Sequence, residues 1–418
     1  MLSTFDLLAV LLSLTAVFGW LNHRYIGLPH TIGLLVMGLA ASLLLVAVEL
    51  AIPHTTLYAD VVAAIRQIDF YEAVMNGMLA FLLFAGALHV DLGTLRSRWL
   101  VVGLTATLGV VISTAIIGCG LWLVAGWIGI ALPLGWALVF GALISPTDPV
   151  AVLSTLKAVK VPAALETDMT GESLFNDGVG VVVFAVLLAV AAGTMGTVNA
   201  GTVTRLLVVE AIGGGILGLV TGYVAYRAMR AIDNYPVEIL ISLALVAGTY
   251  ALASKLHVSG PIAVVVAGLL IGSRGPLDAM SGQTQQYLFS FWTLIDEILN
   301  SILFLLVGLE VLVLRFDPAL GWLALLAVPL ALMARLASVA APVGLLALLG
   351  QKFTTGTIPV LTWGGLRGGI SIALALSLPE VPEKPLILAA TYAIVLFTIV
   401  AQGLTLAKVV RSTVPAQQ

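Results

Sequence analysis

Residues 141–151 read Gly-Ala-Leu-Ile-Ser-Pro-Thr-Asp-Pro-Val-Ala. The stretch is apolar enough for a membrane-spanning helix, yet it holds two prolines three residues apart. Each proline removes a backbone donor, so the helical ladder is predicted to break at Pro146 and Pro149. The freed carbonyls and half-helix ends can face a cation, and Asp148 adds a full negative charge there. The simpler alternative is a kinked helix in which Asp148 only caps the second half.

The composition of the whole chain agrees with a membrane environment. Of 418 residues, 61% are hydrophobic and 9% are charged, whereas soluble domains carry about 25% charged residues. The net charge of −3 gives no sign of nucleic-acid binding. The single cysteine, Cys119, excludes an intramolecular disulfide and a cysteine metal site. These features predict a polytopic membrane protein without a soluble domain.

Thirteen stretches are predicted to cross the membrane, since a bilayer core of about 30 Å needs roughly 20 apolar residues per helix. They cover residues 5–21, 28–52, 72–92, 98–127, 134–156, 169–193, 204–230, 236–254, 258–272, 286–313, 318–349, 354–378 and 385–410. The first span lacks the features of a cleaved signal peptide and is predicted to be retained. With the N-terminus outside, eleven lysines and arginines lie on the cytoplasmic side and five on the other, as the positive-inside rule requires.

Two short segments each have a similar copy later in the chain, separated by an odd number of spans. Residues 32–39 resemble residues 262–269, in spans two and nine, and residues 81–86 resemble residues 303–308, in spans three and ten. Both offsets are seven spans, so the second copy runs inverted across the membrane. Inverted repeats are typical of secondary transporters.

A second polar stretch opens span six, where residues 171–178 read Gly-Glu-Ser-Leu-Phe-Asn-Asp-Gly. Residues four apart share a helix face, which aligns Ser173 with Asp177 and Glu172 with Asn176. Spans five and six are consecutive, so Asp177 can approach the aspartate of span five. Two such carboxylates in a low dielectric hold either a proton or a cation, because both charged together repel. The alternative is a helix N-terminus that carries acids with no further role.

A third polar stretch lies in span twelve, around an arginine. Arg367 is flanked by Gly364, Gly365, Gly368 and Gly369, which predict an unwound or closely packed backbone. An arginine within the membrane needs a counter-charge, and Glu172 is predicted to be its partner. The alternative is that the side chain of Arg367 reaches the interface.

Together the three motifs resemble the monovalent cation:proton antiporter-1 family, in its NhaP-type branch, which is related to the eukaryotic sodium/proton exchangers. The resemblance rests on residues 145–151, 171–177 and 364–368, in matching order and spacing, and it covers nearly the whole chain. It implies an all-α membrane protein of about thirteen spans in inverted repeats, with crossing broken helices in spans five and twelve. It also implies a secondary antiporter, not an enzyme, that exchanges Na⁺ or Li⁺ for H⁺ by alternating access.

The resemblance also assigns roles to residues. It implies that the cation and proton site is formed by Asp148, Asp177, Ser173, Thr147 and Asn176, with Na⁺ held by the first four. Asn176 matches the asparagine that accompanies electroneutral exchange in the family. Glu172 and Arg367 match a buried ion pair that joins the two halves of the core.

The same resemblance implies how a single transmembrane domain, residues 1–418, is organised. A mobile core is expected over residues 98–193 and 318–411, and a dimer-interface part over residues 1–97 and 236–317. A linker helix over residues 204–230 is expected to join them. The expected assembly is a homodimer in lipid, in a prokaryotic plasma membrane, with the C-terminus cytoplasmic. No cofactor besides the transported ions, no nucleic acid and no soluble tail are expected.

One departure from the family pattern leaves the ion open. Many members carry a glutamate in span three, where this chain has Ala85, between Phe84 and Gly86. K⁺/H⁺ exchange is therefore an alternative to Na⁺/H⁺ exchange. An intramembrane aspartyl protease would also use two membrane aspartates, but Asp177 lies in Phe-Asn-Asp-Gly rather than in the Gly-x-Gly-Asp pattern of such enzymes. An ion channel is a third alternative, disfavoured by a single asymmetric pair of acids.

Overall fold

The computed structural model describes residues 3–52, 57–148, 152, 159, 161–193, 200–313 and 318–414. These residues form helices and connecting turns, and none of them is in a strand. The predicted all-α membrane fold is thus confirmed. Residues 149–151, which include Pro149, lie outside the described residues.

Sixteen α-helices are present in the described part of the chain. They are α1 Thr4–Leu21, α2 His30–Ala51, α3 Leu57–Ile65, α4 Leu79–Leu88, α5 Leu92–Ile128, α6 Leu134–Ile144, α7 Ala163–Ala191, α8 Ala200–Arg230, α9 Tyr235–Leu256, α10 Gly260–Arg274, α11 Gly282–Glu310, α12 Pro318–Leu348, α13 Thr357–Trp363, α14 Gly369–Leu376, α15 Lys384–Phe397 and α16 Gly403–Thr413. Short π-helical segments adjoin α1, α4 and α10 and join α15 to α16, at Asn22–Ile26, Glu72–Met78, Gly275–Ala279 and Thr398–Gln402.

Among the described residues, ten helical stretches are long and apolar enough to cross a membrane. The three remaining predicted spans correspond to shorter helices. Spans three and five correspond to Glu72–Leu88 and α6, and span twelve corresponds to α13 and α14, which are separated by a non-helical stretch. The chain is a multi-pass membrane protein.

Glycines let the helices around the site approach closely. A Cβ atom added at Gly141 of α6 would overlap the Thr114 carbonyl of α5, and one added at Gly118 of α5 would lie 2.9 Å from the Leu138 Cα of α6. No larger residue fits at these two positions without moving a backbone. The end of α6 is therefore packed directly against the backbone of α5.

The recurring segments of spans two, three, nine and ten meet in matching pairs. A Cβ added at Gly38 of α2 would lie 3.3 Å from the Gly308 Cα of α11. A Cβ added at Gly268 of α10 would lie 3.0 Å from the Phe84 carbonyl oxygen of α4. Span two corresponds to span nine, and span ten corresponds to span three. The contact between spans two and ten therefore has its counterpart in the contact between spans nine and three, as an inverted repeat requires.

Candidate cation-binding site

The first break in the helices follows α6. The helix ends at Ile144, a bend follows at Ser145, and residues 146–148 are not helical. The predicted break at Pro146 is confirmed. The Ser145 hydroxyl donates to the Gly141 carbonyl at 2.7 Å, while the ring of Pro146 lies against Gly180 of α7, where a Cβ would overlap it.

The second break separates α13 from α14, and its four glycines pack closely against side chains of other segments. A Cβ at Gly364 or Gly369 would overlap the side chain of Met169 or Leu303. A Cβ at Gly365 would overlap the Arg335 guanidinium. At Gly368, the added atom would overlap the carboxylate of Asp148, so this carboxylate lies directly on the backbone of the break.

The two breaks are joined by hydrogen bonds. The Asp148 amide donates to the Leu366 carbonyl at 2.8 Å. The Arg367 guanidinium donates to the carbonyls of Ser145 and Pro146, at 2.5 and 2.9 Å. A cation at the C-terminal end of a helix is stabilised by the helix dipole. Arg367 thus neutralises the end of α6, and the predicted crossing of spans five and twelve is present.

The polar residues of α7 reach the first break. Ser173 Oγ lies 3.0 Å from Thr147 Oγ1. The Asn176 side chain donates to Thr147 Oγ1 at 2.8 Å and accepts from the Thr147 amide at 3.2 Å. The structure therefore brings together Thr147, Ser173 and Asn176, all buried. In this arrangement Asn176 fixes the backbone of the break next to Asp148.

Both predicted aspartates face one cavity. Asp148 and Asp177 line a space of about 80 Å³, and Asp177 is 5% exposed. The other lining residues are mostly apolar and come from α4, α7, α11 and α14. The predicted ligands Thr147 and Ser173 do not line this cavity. Thr147 precedes Asp148 in the chain, and Ser173 is hydrogen-bonded to Thr147. An alkali cation in the cavity would meet the Asp148 and Asp177 carboxylates, and Asp296 of α11 also lines the space.

The predicted ion pair between Glu172 and Arg367 is wrong. The Glu172 carboxylate is instead paired with Arg335 of α12, by two hydrogen bonds, one of them 3.1 Å long from Nη2 to Oε2. Arg335 also donates twice to the Leu361 carbonyl, at 3.1 and 2.8 Å. Glu172 is directed towards α12, whereas Arg367 finds its acceptors at the end of α6. The pairing of Arg335 with Glu172 was not predicted, although Arg335 lies within predicted span eleven.

A second buried ion pair joins Asp168 of α7 to Arg98 of α5. The Arg98 Nε atom donates to Asp168 Oδ1 at 2.7 Å. Asp168 was not singled out from the sequence. A signal was present, because Asp168 precedes Glu172 by four residues and so shares its helix face.

The chain also places the unusual alanine of span three near this site. Ala85 is buried and lines a second cavity, of about 340 Å³, which adjoins the first at Gly86. Its carbonyl oxygen lies 2.7 Å from His89 Nδ1. A longer side chain at this position would therefore enter the space next to the two aspartates.

Comparison with known proteins places this site in a family. The sequence model described as "Sodium/hydrogen exchanger, transmembrane" matches residues 11–412, almost the whole chain. The chain belongs to the sodium/hydrogen exchanger family. The predicted family is confirmed, and with it the expectation of a transporter rather than an enzyme.

Similar proteins carry concordant names. The Na⁺/H⁺ antiporter NhaP of Pseudomonas aeruginosa is 48% identical over 415 residues, covering 97% of this chain and 96% of its own. The Na⁺/H⁺ antiporter NhaH of Halobacillus dabanensis is 35% identical, covering 88% and 90% of the two chains. Among solved structures, the sodium proton antiporter MjNhaP1 of Methanocaldococcus jannaschii at pH 8 superposes with a TM-score of 0.73, over 96% of each chain at 20% identity. This last likeness shows a shared fold.

Proposed function

We propose that this member of the exchanger family is a secondary antiporter that exchanges Na⁺ or Li⁺ for H⁺ at one shared site. The observation that carries the proposal is that Asp148 and Asp177 line the same buried cavity, beside the crossing of two broken helices. Carboxylates buried in a membrane protein mark ion or proton pathways. The names of the similar antiporters support the same ions.

The donor set suits a small alkali cation, which prefers hard oxygen ligands. The Asp148 and Asp177 carboxylates supply two such ligands. The Ser173 hydroxyl and the backbone at Thr147 supply more once the bond between the Ser173 and Thr147 hydroxyls, 3.0 Å long, opens. Protonation of a carboxylate removes the charge that holds the cation, so that cation and proton exclude each other.

We propose that the exchange is electroneutral. Asn176 stands next to Asp177 and is engaged with both the amide and the hydroxyl of Thr147. It therefore adds no third charge to the site and keeps the break in position. One Na⁺ against one H⁺ balances the charge across the membrane.

We propose alternating access, and the way that the site is held supports it. Ion pairs and hydrogen bonds connect α7 to α5 and α12, and connect the two breaks to each other. Across the cavity, α4 and α11 contribute apolar side chains such as Leu83 and Leu303. We propose that the tightly connected helices move as the core, past the helices of the interface part, and carry the cation with them.

The remaining features of the proposal follow the family pattern. The protein is proposed to work as a homodimer in a prokaryotic plasma membrane, with its N-terminus outside and no cofactor besides the transported ions. K⁺/H⁺ exchange stays as the nearest alternative, because Ala85 occupies the position of the span-three glutamate.

The experiment is a transport assay in liposomes that carry a pH-gradient dye. Addition of Na⁺ or Li⁺ should dissipate the gradient. The response should be the same whether the membrane voltage is clamped by valinomycin and K⁺ or left unclamped, because electroneutral exchange moves no net charge. The variant Asp177→Asn should be folded and inactive, since its amide cannot alternate between proton and cation. A response to K⁺ alone would move the assignment to potassium, and no response to any cation between pH 5 and 9 would refute antiport.

A further inference from the structure

A second cavity connects with the one that holds the two aspartates. It has a volume of about 340 Å³ and is lined at its outer part by Asp91, Glu166 and Thr94. The outer cavity lies where α4 ends and α5 and α7 begin, on the side that is predicted to be cytoplasmic.

The two cavities share three lining residues, Gly86, Thr170 and Asp296. Asp296 is the carboxylate among them. It lies at the middle of α11, is half-buried, and stands between the outer acids and the inner pair Asp148 and Asp177. Its carboxylate is therefore the charged group on the boundary that the two cavities share.

The orientation of Asp296 is fixed by the next turn of α11. The Asn300 side chain donates to Asp296 Oδ1 at 3.0 Å and to the Asp296 carbonyl at 2.9 Å. Asn300 is buried and lines the inner cavity as well. A buried amide that holds a carboxylate at the boundary of two cavities suits a positioned ligand better than a surface charge.

We propose that Asp296 is a third carboxylate of the transport path, which takes the cation from the outer cavity and passes it to Asp148 and Asp177. The inference rests on the proposed antiport. Asp296 belongs to α11, on the wall opposite to the breaks and α7, so its distance from the other two carboxylates changes when the core moves. It thus stabilises a partly dehydrated cation in the state open to the outer cavity and determines how readily that state takes up the ion.

The test measures Na⁺-dependent proton movement over a range of Na⁺ concentrations, in everted membrane vesicles and in right-side-out vesicles. For Asp296→Asn the apparent KM for Na⁺ should rise roughly tenfold, the size expected of one charge lost in a partly buried site. The rise should be confined to the face onto which the outer cavity opens, with Vmax within about twofold of the original. Asp296→Glu, which keeps the charge, should restore most of the affinity.

Glu297→Gln is the matched control, because Glu297 is the next residue of α11, is exposed and lines neither cavity. Its KM should not change. An unchanged KM in Asp296→Asn, an equal change in Glu297→Gln, or complete loss of exchange in a folded Asp296→Asn would each overturn the inference. Should the asparagine variant not fold, Asp296→Thr is measured in its place. An inactive parent protein would refute antiport itself, which separates the two failures.

Discussion

At the scale of single residues, α7 carries its acids on two faces. Asp168 and Glu172 accept Arg98 and Arg335 from neighbouring helices, whereas Asp177 lines the cavity. Five residues separate Glu172 from Asp177, which is a rotation of about 140° around the helix axis. The first face connects helices, and we assign the second to the transported ions.

The pairing of Glu172 can be measured by a double-mutant cycle. Glu172→Gln or Arg335→Gln alone leaves a buried charge without its partner, which costs about 3–5 kcal/mol. The double variant should be less destabilised than the sum of the two, as read from thermal unfolding in detergent. The matched cycle of Glu172→Gln with Arg367→Gln should show clearly weaker coupling, because Arg367 donates to backbone carbonyls and not to Glu172. Equal coupling of Glu172 to both arginines would contradict the assignment.

The partner of Glu172 could not be predicted from the sequence, although the need for a buried pair could. Arg335 and Arg367 both lie well inside predicted spans, and which of them meets Glu172 depends on the rotation of α12 against α7. The charge of Arg367 is met by the Ser145 and Pro146 carbonyls. From the sequence, these freed carbonyls were predicted to face a transported cation, whereas they accept hydrogen bonds from Arg367.

At the scale of the elements, the two broken helices depend on residues that remove or crowd the backbone. Pro146 ends the ladder of α6 because it has no N–H. In span twelve, the glycines make room for Arg335, Met169 and Leu303 as well as for Asp148. At this break, side chains from other segments thus occupy the space that Cβ atoms would fill at the glycine positions.

Gly368→Ala should strongly reduce exchange, because the added methyl group overlaps the Asp148 carboxylate and displaces it. The expected loss of Na⁺-dependent transport is at least tenfold, roughly the effect of moving a ligand by about 1 Å. Gly344→Ala is the control, since nothing lies within 4 Å of a Cβ at that position of α12. A Gly368→Ala variant that transports as well as Gly344→Ala would show that Asp148 does not need this position.

Both breaks were predictable from the sequence because proline and glycine act through the local backbone. The hydrogen bond made by Thr398, in the π-helical segment Thr398–Gln402, was not predictable, since its partner is distant in the chain. There, the Thr398 hydroxyl accepts from the Arg367 amide at 3.1 Å, which connects span thirteen to the break of span twelve. A contact between residues 31 positions apart leaves no periodic signal in either segment.

At the scale of the whole molecule, the account requires the core helices to move together. A Cβ added at Gly135 of α6 would lie 3.4 Å from the Ala191 Cβ of α7, close to the Cβ spacing of a disulfide. Gly86 of α4 and Leu174 of α7 face each other across the cavity, with 3.7 Å from an added Cβ to Leu174 Cδ1. The pair of Gly135 and Ala191 lies within the proposed core, whereas the pair of Gly86 and Leu174 joins the interface part to the core.

Cross-links at the two pairs should therefore have opposite effects. In a Cys119→Ser background, which removes the exposed natural cysteine, the pair Gly135→Cys and Ala191→Cys should keep transport after oxidation. The pair Gly86→Cys and Leu174→Cys, joined by a short bifunctional reagent, should lose it and regain it when the link is cleaved. Full transport with the second link closed would contradict movement of the core.

The central claim is that one pair of carboxylates binds either the cation or the proton. The most direct measurement is the Na⁺ dependence of exchange in liposomes at a series of pH values with no pH gradient imposed, read by ²²Na⁺ uptake. A shared site predicts that acidification raises the apparent KM for Na⁺, approaching tenfold per pH unit for one competing proton, with saturating Na⁺ restoring the rate. A KM that stays constant while acid lowers only the maximal rate would place the two ions at separate sites and contradict the account.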